Sequence, residues 1–182
     1  HIIVLQFYPL LVNNYYVFME ILHRDDFCAV LKKYNCKIGV ELGVDRGEFS
    51  ESLNKTYSFK QFFSIDRWSD HHTAVHYFKT LKRLLKCNII TLRCTFAEAL
   101  DLFADNYFDF IYIDGNAKGG QENGKTLYDW YPKLKRGGVF AGHDYHPKWQ
   151  RTVNVVNEFS SKHSKKINLT TNDEFPSWWF VK

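Results

Sequence analysis

The stretch Val40-Glu41-Leu42-Gly43-Val44-Asp45-Arg46-Gly47-Glu48-Phe49-Ser50 is a short apolar strand that enters an acidic, glycine-punctuated turn and then a helix start. A chain that leaves a strand and bends at once into a helix needs residues without Cβ at the bend, and Gly43 and Gly47 supply them. The helix that follows presents unpaired N–H groups suited to an anionic or polar ligand. A dinucleotide fingerprint would require glycine two residues after Gly43, where the chain has Asp45. A nicotinamide-dependent oxidoreductase is therefore disfavoured.

From Asp25 onward, helical and strand patterns alternate. Phe27, Val30, Leu31 and Tyr34 fall at helical spacing behind an acidic cap, and strands are expected at Ile38–Leu42, Phe62–Ile65 and Asn88–Leu92. Between the second and third of these, Ala74, Phe78, Leu81 and Leu85 mark a longer helix, and Ala97 and Leu100 a short one after the third. Phe108–Ile113 is almost wholly apolar, as a strand covered on both faces should be, and it stops at Asp114. Residues 118–124 are polar and glycine-rich and read as a loop. Leu127, Trp130, Tyr131 and Leu134 form a helical face that Arg136-Gly137-Gly138 is expected to end, with a strand at Val139–Ala141 and a helix carrying Val155, Val156 and Phe159. The short connection between Ile167–Thr170 and Trp178–Val181 implies an antiparallel pair. The expected fold is α/β: a doubly wound, mostly parallel seven-stranded sheet with a C-terminal antiparallel hairpin.

At 182 residues, 45% hydrophobic, the chain can bury one sizeable core, with no internal repeat or second domain boundary. The formal charge of +4 is mild, and the lysine-rich runs at 79–86 and 162–166 suit solvated helix faces, so no nucleic-acid partner is implied. Cys28, Cys36, Cys87 and Cys94 form neither a C-x-x-C pair nor a zinc spacing, which fits a reducing, cytoplasmic setting. Residues 1–24 stand apart as an N-terminal extension, leaving 25–182 as the domain. The apolar opening is interrupted by Gln6, Pro9, Asn13, Asn14 and Glu20, unlike a membrane span or a signal peptide. It reads as a lid or packing segment, or as sequence ahead of a start at Met19; the second is slightly favoured, and residues before Met19 are then expected to be dispensable for cofactor binding.

Ligands of an open α/β sheet bind beyond the carboxyl ends of its strands. Four such ends carry polar groups here: Glu41, Asp66, Asp114, and His143 with Asp144. Any one of these acids could merely cap the next helix, but four on one edge favour a site. Asp66 lies about 23 residues past Gly43, near the offset at which an acid reaches ribose hydroxyls.

The E-x-G-x-x-x-G loop, the closing hairpin and the run of strand ends resemble class I S-adenosylmethionine (SAM) methyltransferases over roughly residues 25–182. Within them, Ile113-Asp114-Gly115 followed by Gly137-Gly138-Val139-Phe140-Ala141-Gly142-His143-Asp144-Tyr145 and by Pro176-Ser177-Trp178-Trp179-Phe180 is similar to the small stand-alone O-methyltransferases related to macrocin O-methyltransferase. The resemblance implies SAM as cofactor, held by Glu41, Gly43, Gly47, Asp66, Phe96 and Asp114, with Trp68 either covering the adenine or simply packing in the core. It implies a small hydroxylated substrate. In related enzymes acids after strands four and five hold Mg²⁺, and Asp114 and Asp144 match them. A hard cation takes such oxygen ligands and lowers the pKa of a bound hydroxyl. His143 is read as orienting substrate or acting as base. Relatives place His or Lys three residues past the strand-four acid; this chain has Ala117 there, with Lys118 beside it. Lys118 or His143 takes that role, or the metal alone suffices; a SAM-binding module without catalysis is the alternative.

Overall fold

The computed structural model describes residue 21, residues 23–69 and residues 72–182. The readings made for residues 1–20, including a start at Met19, lie outside the described residues. Seven strands form one sheet in the order β3-β2-β1-β4-β5-β7-β6. In chain order the elements are α1 (Phe27–Lys33), β1 (Ile38–Leu42), α2 (Glu48–Thr56), β2 (Gln61–Asp66), α3 (Ala74–Leu85), β3 (Ile90–Arg93), α4 (Phe96–Leu100) and β4 (Phe108–Ile113). They continue with α5 (Gly120–Asn123), α6 (Lys125–Trp130), β5 (Leu134–Gly142), α7 (Gln150–Lys162), β6 (Asn168–Leu169) and β7 (Trp178–Val181). The strands β1 to β5 run parallel, and β7 pairs antiparallel with both β5 and β6, as expected.

Both faces of the sheet are covered, which is why β4 is a continuous apolar run. Phe110 and Tyr112 join the core beneath α1–α3, with Phe27, Leu53 and Leu84. Ile111 and Ile113 point the other way, toward Ala99, Trp130 and Phe159 of α4, α6 and α7. Caps fix where the helices begin. Thr73 accepts from His76 N–H at the start of α3, and Thr95 with Glu98 forms a reciprocal capping box on α4.

Three local readings need correction. The helix before β5 ends at Trp130, a 3-10 turn with Pro132 follows, and Arg136-Gly137-Gly138 lies inside β5 instead of closing a helix. Gly137, at φ +80°, serves the irregular register between β4 and β5. The 118–124 loop contains the turn α5, which is left-handed: Gly120, Gln121, Glu122 and Asn123 all have positive φ. Finally, the cap ahead of α1 is a His23–Asp26 box on a preceding 3-10 turn, not a carboxylate at the helix start. Ile21, His23 and Arg24, grouped with the extension by the sequence pattern, are packed on the domain. Ile21 is buried in the core and its carbonyl accepts from Thr171 N–H, while His23 reaches Asp173 at 2.9 Å.

Candidate functional site

The strand order reverses direction between β1 and β4, so the chain diverges above these two strands and leaves a crevice. Gly43 sits at its floor. A Cβ there would lie 2.6 Å from the carbonyl oxygen of Asp114, and φ is +92°. Only glycine allows the β1 turn to lie against the β4 turn. The close approach that this glycine serves is thus backbone to backbone.

A cavity of about 490 Å³ opens here, lined by Gly43, Asp45, Asp66, Thr95, Phe96, Asp114 and Gly115 among others. Its size falls in the range of small-molecule sites, about 300–1,000 Å³. Gly115 lets Phe96 lie over the cavity wall, since a Cβ at 115 would stand 2.8 Å from the Phe96 ring. Asp66 is held by three backbone donors: Val44 N–H at 2.8 Å and Asp45 N–H at 3.0 Å on Oδ2, and Trp68 N–H at 2.9 Å on Oδ1. A carboxylate offers about four lone-pair positions. Asp66 therefore fixes the turn after β1 and keeps room for one further strong hydrogen bond.

At the next pair of strand ends, β4 and β5 are in register through Ile113 and Gly142, so Asp114 and His143 emerge side by side. His143 Nδ1 lies 3.4 Å from Asp114 Oδ1 and 3.3 Å from Asp144 Oδ1. The opposite oxygen of Asp114 accepts from Arg24 at 3.0 Å. Burial works against a charged imidazole, but the hydrogen bonds to Asp114 and Asp144 outweigh it and lift His143 to about 9. Asp114, His143 and Asp144 bring their ligand atoms within 4.8 Å of one another, a geometry compatible with a shared cation. Two close carboxylates need a positive charge between them, and here the His143 imidazolium and Arg24 supply it. Arg24 was not anticipated; it lies 90 positions from Asp114 and belongs to no motif.

Other expected residues are placed elsewhere. Trp68 is 1% exposed, donates its indole N–H to Asp45 O at 2.8 Å and packs on Tyr77, so it is a core residue and not a cover for adenine. Gly47, at φ +73°, starts α2 with its open side against Leu84 and Thr80 of α3 and does not line the cavity. Glu41 is 1% exposed and accepts from the Ser50 hydroxyl, which in turn meets Ser64 at 2.6 Å. It lies beneath the cavity and does not line it. Burial pushes Glu41 up to about 8, with the Ser50 hydrogen bond pulling the other way and Asp114 adding to the rise. Lys118 is exposed on the turn after β4 and is not among the cavity residues. Tyr112 of β4 is fully buried, with its hydroxyl 2.7 Å from Ser177 Oγ.

Comparison with known proteins supplies the deciding observation: residues 40–145, more than half of the chain, match the family model described as a methyltransferase domain. The chain belongs to the methyltransferase-domain family. It is a SAM-dependent methyltransferase of class I architecture. A Staphylococcus aureus protein proposed as a caffeoyl-CoA O-methyltransferase superposes with a TM-score of 0.69 at 14% identity, covering 87% of this chain and 82% of that one. A Bacillus cereus O-methyltransferase in complex with S-adenosylhomocysteine (SAH) gives 0.63 at 14% identity, over 87% and 80%. An SAH-bound methyltransferase from Podospora anserina gives 0.61 at 13% identity, over 86% and 76%. No curated protein matches the sequence. No helix among the described residues is long and apolar enough to cross a membrane.

The methyltransferase cavity fits the cofactor class on its own chemistry. An acid at the end of β2 suits a sugar hydroxyl, and the Phe96 ring offers a flat apolar face.

Proposed function

We propose that this methyltransferase transfers the methyl group of SAM to a hydroxyl of a small molecule held at Asp114, His143 and Asp144. The observation that carries the reading is the convergence of these three groups at the edge of the cofactor cavity, which Asp114 itself lines. In the reaction an O–C bond forms as the S–C bond breaks, and the hydroxyl proton leaves to a base. Most of the acceleration would come from aligning oxygen, methyl and sulfur. Asp66 takes one ribose hydroxyl and Phe96 packs against the adenine. His143, charged at neutral pH, donates to the acids and orients the acceptor oxygen. The donor set also fits a hard divalent cation: Asp114 and Asp144 would hold Mg²⁺, which when bound acidifies a hydroxyl. To reach Asp114, the metal would compete with Arg24.

Ala117 and the Arg24–Asp114 ion pair favour a second reading, a SAM-binding module without catalysis. Incubation with SAM and a panel of phenols and sugars, with Mg²⁺ or EDTA, separates the two. Methyl transfer to any hydroxyl supports the first reading. SAH binding with no transfer to any acceptor under either condition supports the second.

A further inference from the structure

On the far side of the cofactor loop from Asp114, a second group of side chains converges. Asp45 Oδ1 lies 3.0 Å from His72 Nε2 and 3.1 Å from His76 Nε2, and the two imidazoles meet edge to face at 4.9 Å. His72 Nδ1 is 3.2 Å from the carbonyl oxygen of Ser69. A carbonyl only accepts, so this contact holds the proton on Nδ1 whenever Nε2 serves as a metal ligand; without a metal, Nε2 lies within hydrogen-bond distance of Asp45 Oδ1. His76 Nε2 is buried and makes no hydrogen bond of acceptable geometry. The two histidines and the Asp45 carboxylate thus bring three ligand atoms within 4.8 Å of one another, close enough to share one cation.

We propose that Asp45, His72 and His76 form a binding site for a transition-metal dication of the Zn²⁺ class, distinct from the Asp114 cluster. Zinc sits about 2.0–2.2 Å from imidazole nitrogen and carboxylate oxygen, so tetrahedral ligands stand about 3.4 Å apart. The two Asp45 separations, 3.0 and 3.1 Å, need a displacement of a few tenths of an ångström, and all three ligand atoms lie within 4.8 Å of one another. The contact of His72 Nδ1 with a backbone carbonyl is the outer-shell partner that orients a metal-bound histidine. Two nitrogens and one oxygen suit zinc and its neighbours better than Mg²⁺, which prefers oxygen. Three protein ligands leave a coordination position open.

The location gives the site a role. Asp45 and His72 line the cofactor cavity, and His76 belongs to α3. An ion held by all three pins the loop after β1 to the start of α3. That loop supplies the Val44 and Asp45 amides that hold Asp66. The ion would therefore position the ribose-binding carboxylate without touching the methyl acceptor.

The test uses the full chain stripped of metal, titrated with Zn²⁺ against a chromogenic chelator, together with long-range ¹H–¹⁵N spectra of the imidazoles. The expected result is one Zn²⁺ equivalent that persists in the double variant Asp114→Asn with Asp144→Asn. It should weaken at least about tenfold in Asp45→Asn and in His76→Gln, a loss no smaller than outer-shell changes produce. In the unmutated protein the Nε2 resonances of His72 and His76 should move with the first equivalent, a readout that does not depend on any variant folding. Zinc affinity unchanged in both Asp45→Asn and His76→Gln would overturn the site. So would zinc binding lost only in the Asp114 and Asp144 variant, or His72 and His76 resonances that stay in place.

Discussion

Glu41 is a carboxyl that the fold keeps protonated, and replacing it with glutamine makes that measurable. Burial lifts it from 4.5 to about 8, so between those values the folded chain holds a proton that the unfolded chain releases. Stability contributed by this group therefore falls as pH rises through the window, with the sign opposite to that of an ordinary ion-paired acid. The full difference corresponds to about 5 kcal/mol. Glutamine keeps an acceptor for the Ser50 hydroxyl and does not titrate. Glu41→Gln should be close to neutral near pH 4.5 and more stable than the unmutated protein by several kcal/mol at pH 9. His143, lifted from 6.5 to about 9, also makes stability fall with rising pH over its own window. That slope is common to both proteins and largely cancels in the difference. Urea unfolding at pH 5, 7 and 9 supplies the comparison. A stability difference between the two proteins that does not change from pH 5 to pH 9 would show that Glu41 is ionised in the fold and refute the reasoning.

The other predictions concern the site directly. Gly43→Ala should destabilise the chain by about 2–5 kcal/mol, summing a left-handed backbone and an overpacked contact on Asp114, and a melt within 2 °C of the parent would contradict it. Asp66→Asn removes the charge that would meet the ribose, so SAH affinity by calorimetry should fall about tenfold or more; an unchanged affinity in a folded variant would sink the ribose assignment. If Asp114 and Asp144 hold Mg²⁺, turnover should vanish in EDTA and return with added metal while SAH binding persists, whereas full activity in EDTA leaves the hydroxyl proton to a protein base. Arg24→Gln frees one oxygen of Asp114 and should lower the Mg²⁺ concentration needed for half-maximal turnover by several fold; a higher requirement would mean that Arg24 aids the site and does not compete with the metal.

Where local sequence carries its own boundary, it predicted structure well. Ile38–Leu42, Phe108–Ile113 and Trp178–Val181 are apolar runs that appear as strands with those limits. Residues 136–138 misled because a glycine pair that commonly ends a helix can equally relax a strand, and the choice depends on how β4 pairs with β5. Glu41, Asp66, Asp114 and Asp144 were legible as one group because strand ends in a doubly wound sheet share one edge. Arg24 and the Asp45–His72–His76 group were not, since each depends on a contact between distant segments that leaves no periodic trace. The H-x-x-x-H spacing of His72 and His76 is a signal in itself, but His72 stands ahead of the Thr73 cap and only His76 lies in α3, and the Asp45 loop gives the pair a third partner.

The four acids on this edge show how one kind of residue is divided between folding and chemistry. All four lie within two residues of the carboxyl ends of parallel strands and would repel one another if left charged in a partly buried crevice. Glu41, the deepest, is relieved by keeping its proton and meeting Ser50. Asp66 stays at the cavity surface and spends three of its acceptor positions on amides of the cofactor loop. Asp114 and Asp144 share His143, and Asp114 also holds Arg24. Both cations are side chains that can turn away, whereas the Asp66 amides are fixed in the backbone. The edge is thus rigid where the proposed cofactor contact lies, and exchangeable where the proposed acceptor or metal ion would enter and leave. The same difference explains why substitution at Asp66 should lower both stability and SAH affinity, while substitution at Arg24 should act on the metal requirement with little effect on cofactor binding.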